Sequence, residues 1–189
     1  MRKRKLSVSS ERSVYTYGYL HQAADFTLEQ AEKTEDGSFL NCMASIILSA
    51  FCIEAYLNHI GSELLPYWDK EIKKGLSVHN KLKIICHHLN LAPDYSHAPF
   101  QSFKDIVKYR NLLAHAETEN IKDRRTQIVR DGERVIDPKT GWEKHTNIRT
   151  AKQWLAHTES MISQIHKAAG RDIPFGILSV GGHFGTLVK

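Results

Sequence analysis

The sequence predicts an all-α protein: an up-and-down bundle of four to five helices with a small β-hairpin insertion and an extended C-terminal tail. Three observations predict it. Most of the 189 residues fall into long segments whose apolar residues recur every three or four positions. The connections between those segments are short, as in antiparallel bundles. The period changes to that of a strand only around residues 124–146. Residues 1–10 read as a basic flexible arm, 11–170 as the helical domain and 171–189 as the tail.

The first helix is expected to start at Ser10 as N-cap and to carry Val14, Tyr17, Leu20, Ala24 and Leu28 inward, ending near "TEDGS". From Ser38 to about Leu65 runs a second helix that is apolar nearly all round, the mark of a helix packed on several sides. Ser45, Ser49, Glu54 and Asn58 interrupt it, so the expectation is a core helix and not a membrane span. Gly61 or Pro66 should break it. "VHNKLKIICHHLNL" gives the third helix, and Pro99 to Asn120 the fourth. β-branched residues then flank Asp131-Gly132, a hairpin signal, and "DPKTGW" supplies a second turn. Ile148, Ala151, Trp154, Thr158, Met161, Ile165 and Ala168 mark the fifth helix, with Gly170 as its stop. The Gly-rich, apolar tail has strand character and should pack on the body or on another subunit.

Composition narrows the function. A net charge of +5 and a pI near 9.1 permit a polyanionic partner without demanding one. Cys42, Cys52 and Cys86 form no C-x-x-C pair and read as buried thiols in a reducing compartment. The basic start has no apolar stretch behind it, so no signal peptide is expected and the predicted location is cytoplasmic, with no membrane partner. Phosphate-binding loops, dinucleotide fingerprints and a G-x-S-x-G elbow are missing. Adjacent His87 and His88 point to different helix faces, and no zinc-ligand spacing is present. No metal or cofactor is therefore expected. Trp68, Trp142 and Trp154 are scattered and read as packing residues.

Two charges stand out. With Phe103 at zero and about 100° per residue, Ile106, Val107, Leu113 and Ala114 share one stripe of the fourth helix, and Arg110 falls at about −20°, near its middle. Charged side chains are rarely buried unpaired. Arg110 thus snorkels to water, meets a buried carboxylate, or lines a site. On the second helix, Glu54 is flanked by Phe51, Ile53, Ala55, Tyr56 and Leu57 and shares a face with Asn58. A pairing of Glu54 with Arg110 would answer both anomalies, either as internal architecture or as part of a site. Asn111 and His115, again four apart, face the same side at the edge of that stripe; Arg110 and His115 are about 140° apart on the wheel, and the long guanidinium can swing toward that side. An imidazole moves protons near neutral pH, a guanidinium binds the non-bridging oxygens of a phosphate as charge grows on them, and an amide orients either.

"YRNLLAHA" resembles the R-x4–6-H motif of HEPN domains, with Asn directly after Arg, and "IEAYLN" is similar to the Glu-bearing second-helix segment of several HEPN subgroups. The resemblance covers about residues 10–170. It implies a helical bundle, usually a homodimer that joins two motifs in one cleft, and a metal-independent endoribonuclease, often a toxin or defence effector. It further implies Arg110 and His115 as catalytic, Asn111 as a polar helper and Glu54 as the residue orienting Arg110. RNA is then the expected substrate, cleaved by attack of the ribose 2′-OH. Arg2, Lys3, Arg4, Lys5, Lys104 and Lys108 would steer the polyanion, with Asn58 a further RNA contact. An antitoxin or another protein partner fits the same family. The alternatives are a catalytically inactive HEPN-like module that binds a nucleotide or protein, and an adaptor that uses the basic arm.

Overall fold

Apolar residues at helical spacing become five helices in the computed structural model, which describes residues 6–124, 126, 128, 130, 137–176 and 178–187. In chain order these are β1 (Leu6–Val14), α1 (Thr16–Lys33), α2 (Ser38–Leu64), a π-helical turn (Trp68–Ile72), α3 (Val78–His88), α4 (Phe100–Ala114), a 3-10 turn (Glu143–His145), α5 (Ile148–Ala168) and β2 (Ser179–Leu187). The all-α expectation holds. The Asp131-Gly132 turn lies outside the described residues, as do Arg2, Lys3, Arg4 and Lys5.

The chain's beginning departs from expectation. Residues 6–14 form a strand instead of an arm and the first turns of a helix. β1 pairs antiparallel with β2, from Leu6 opposite Leu187 to Val14 opposite Ser179. "SVSSERSV" is rich in serine and β-branched residues, weak helix formers that a strand partner recruits. The tail supplies that partner. α1 accordingly starts at Thr16, and its inward residues are Tyr17, Ala24, Leu28 and Ala31.

Helix ends follow local chemistry. Ser77 caps α3 by accepting a bond from the Asn80 N–H at 3.3 Å, and Asn147 caps α5 by accepting from the Thr150 N–H at 2.9 Å. α5 stops before Gly170, whose φ of 74° lies in the left-handed region. α2 passes straight through Gly61 and ends at Leu64, two residues before Pro66. The proline, which disfavours helical backbone in the residue before it, is the breaker. α2 is the one described helix long and apolar enough to cross a bilayer, and half of its most apolar window is buried within the protein.

The chain divides into two units. The first comprises residues 1–22, 51–92 and 162–189 and holds the ribbon, the second half of α2 and α3. Its core includes Ile53, Leu57, Ile60, Trp68, Leu82 and Ile85. Tyr17 packs edge-on against Tyr56 and stacks on His59. The Tyr56 hydroxyl lies 3.2 Å from His166 Nδ1. Glu63 sits 3.6 Å from His59 Nε2 and pairs with Arg171 through the same oxygen. Burial pushes both imidazoles below the usual histidine range and the Arg171 guanidinium adds to this; Glu63 pulls each the other way, as does a hydrogen bond that His166 donates to the Ile173 backbone.

The folded unit therefore binds fewer protons than the unfolded chain once the pH falls below about 6.5. Stability is full above that pH and declines below it, levelling once the folded imidazoles also protonate. Urea denaturation between about pH 7.5 and 5 should show this decline, and a smaller one in His166→Gln.

The second unit comprises residues 23–50 and 93–161. Its core joins Ala24, Leu28, Cys42, Ile46, Phe103 and Ile106 with Trp154 and Leu155. Cys42, Cys52 and Cys86 are buried and form no disulfide, and burial pushes the Cys86 thiol up to about 11.

Candidate functional site

α4 is built on the first part of the stripe that the sequence marks; Leu113 is half-buried and Ala114 exposed, so the stripe fades before the helix ends. Phe103, Ile106 and Val107 are buried, and Tyr109 joins them through its ring, edge-on to Trp154 at 5.8 Å. The Tyr109 hydroxyl donates to Thr146 Oγ1 at 2.7 Å, and Thr146 donates onward to the Trp142 carbonyl at 3.1 Å. Burial pushes the Tyr109 phenol up, and the bond to Thr146 partly offsets it. Ser102 Oγ lies 2.7 Å from His157 Nδ1. These bonds fix α4 in rotation, so its other side chains have defined faces.

Arg110 lies where the wheel places it, half-buried, with its Nε fully enclosed. Asn111 and His115 are exposed. The helix was expected to continue to Asn120, yet it ends at Ala114. Every described residue from 114 to 124 is exposed, so nothing beyond Ala114 offers the packing that sustains a helix. His115 is the C-cap, with φ −120° and ψ 23°, and its N–H donates to the Asn111 carbonyl at 3.1 Å. What changes is the bound of the helix: His115 closes α4 and does not lie inside it. The imidazole is exposed at the helix end.

The other predicted residues distribute as follows. Lys104 and Lys108 are exposed on α4, Lys104 with its ammonium 4.6 Å from the centroid of the Tyr95 ring. Asn58 is half-buried in the first unit, lining a cleft with Tyr15, Tyr17 and His59. Glu54 also belongs to the first unit, where its Oε1 lies 3.4 Å from the Nζ of Lys81. Lys81 is 2% exposed, the most deeply buried cation described. The sequence reading missed it. Its signal is a lysine between His79 and Leu82 on the inward side of a short amphipathic helix, and nothing in the pattern separates that from a snorkelling lysine.

The chain matches no protein-family model, no curated protein and no solved structure. The chemistry of the site is accordingly read from α4 and its neighbours. A half-enclosed guanidinium and an exposed imidazole one turn on, at the solvent end of a rotationally fixed helix, can bind a phosphate oxygen and exchange a proton with a ribose hydroxyl.

Proposed function

We propose that this chain is a metal-independent endoribonuclease of HEPN type. The observation that supports it is Arg110, a cation held half-buried in the core-facing stripe of α4 while His115 emerges at the helix end. In this mechanism the ribose 2′-OH attacks the adjacent phosphorus and the bond to the 5′ oxygen breaks. A cyclic 2′,3′-phosphate and a free 5′-hydroxyl result. His115 takes the proton from the 2′-OH or delivers one to the leaving oxygen. Arg110 offsets the negative charge that gathers on the non-bridging oxygens, and Asn111 orients the phosphate. Two copies joining their motifs would supply both the base and the acid, which makes a homodimer the working state. DNA lacks the nucleophile and is spared.

RNA cleavage in EDTA tests the proposal. Wild type should cut single-stranded RNA, and His115→Ala should be slower by about 100-fold or more, the usual share of a proton-transfer group. Its thermal melt should match wild type, because the side chain it loses is exposed. Equal rates in the two proteins, or no cleavage by either, would remove the catalytic assignment.

A further inference from the structure

α4 and the segment around Trp142 border a cavity of about 190 Å³ that reaches along the helix as far as Leu112. Asp105, Lys108 and Leu112 line it from α4, three and seven residues apart and so on one face. Tyr109, Trp142, His145 and Trp154 add its aromatic lining. Its shape is fixed by short-range bonds. The Thr140 N–H donates to the Glu143 carboxylate at 2.6 Å, and the Glu143 N–H donates back to Thr140 Oγ1 at 3.1 Å. This reciprocal cap sets the 3-10 turn that carries Trp142. The chain of bonds from Tyr109 through Thr146 to the Trp142 carbonyl then ties that turn to α4.

The lining is sorted by chemistry. Trp154 is buried, and the His145 ring lies nearly parallel to it at 5.7 Å. Trp142 is half-buried, its ring centroid 6.1 Å from that of Phe39. Leu112, 47% exposed, presents an apolar step at the mouth. Lys108 and Asp105 stand exposed on the rim. A space of this size between aromatic walls suits one flat heteroaromatic ring. An ammonium on its rim suits a phosphate, and a carboxylate accepts from an exocyclic amine.

We propose that this cavity seats one nucleobase of single-stranded RNA, an inference that rests on the ribonuclease proposal and adds the element that positions its substrate. From Lys108 to His115 is seven residues, about 10 Å along the helix. Lys108 and His115 lie about 20° apart around α4, so a phosphate held at Lys108 is on the His115 side of the helix, about 160° round from Arg110. Trp142 is a positioning residue here, and Lys108 holds a phosphate. The sequence reads all three tryptophans as packing; the structure keeps that role for Trp68 and Trp154 and leaves Trp142 at an opening.

The test is binding without cleavage. The full chain is titrated with a 2′-O-methyl RNA oligonucleotide, which has no nucleophile, and read by tryptophan fluorescence and by anisotropy of a labelled strand. Wild type should bind with quenching. Trp142→Ala should bind about tenfold more weakly and lose the quenching. Trp142→Phe, which retains a stacking face, should recover most of the affinity, and thermal melts show that both variants fold. Trp142→Ala binding as tightly as wild type, with His115→Ala still defective in cleavage, would overturn the base pocket and leave the ribonuclease. Trp142-dependent binding by a protein that cuts no RNA would keep the pocket and remove the nuclease. Absence of oligonucleotide binding by wild type would overturn the pocket outright.

Discussion

Glu54→Ala is expected to cost about 3 kcal/mol of folding stability, through Lys81. The Lys81 side chain is 2% exposed and its ammonium faces the Glu54 carboxylate, which is itself 31% exposed. Removing the acid leaves a cation enclosed without that counter-charge, the circumstance in which breaking a buried pair is strongly destabilising. The reverse change is milder. Lys81→Met replaces the stem with apolar volume and leaves a carboxylate able to reach water, so its cost should stay within about 1 kcal/mol. In the Lys81→Met background, the part of the Glu54→Ala penalty that acts through Lys81 should be absent. Denaturant unfolding of the four proteins measures the cycle. A full-sized Glu54→Ala penalty in the absence of Lys81 would show that the acid acts through another group.

Gly61→Ala is expected to destabilise by about 3 kcal/mol, against the propensity rule. Alanine inside a helix ordinarily gains about 1 kcal/mol over glycine, and Gly61 sits in the last turns of α2. A Cβ there would overlap the six-membered ring of Trp68, which is fully buried. The indole has no open direction in which to move, and overpacking a rigid ring exceeds the propensity gain. The same substitution at Gly141, where a Cβ meets nothing within 4 Å, is the control. Thermal melts should drop for Gly61→Ala and hold for Gly141→Ala; equal melts would show that the indole can shift.

These two residues also mark how far the sequence was legible. Gly61 reads as a helix breaker because a glycine at the end of an apolar run usually is one. Its purpose here is close approach by a ring seven residues on, which no periodicity records. Glu54 is visible as a misplaced charge, since its neighbours are apolar on every side. Its contact with Lys81 spans 27 positions, and a lysine on an amphipathic helix carries no mark of burial. The helices themselves are local objects, so α2, α3 and α5 fall close to their expected bounds. The start of α1 does not, because the competing strand depends on a partner more than 160 residues away. Arg110 sits half-enclosed in the predicted stripe because its place is set by periodicity alone. His115 closes α4 five residues before the expected bound, because the end of that helix depends on where burial stops.

The ribbon has a mechanical consequence. Leu6 and Leu187 sit opposite each other at the same end of an antiparallel pair. Tension applied at residues 6 and 187 therefore peels β1 from β2 rung by rung, loading one hydrogen-bonded step at a time. A shear geometry would load them all together. Under such pulling the two strands act as a fuse: they part at low force, and the helices bear strain only after the last rung at Val14 and Ser179 has opened.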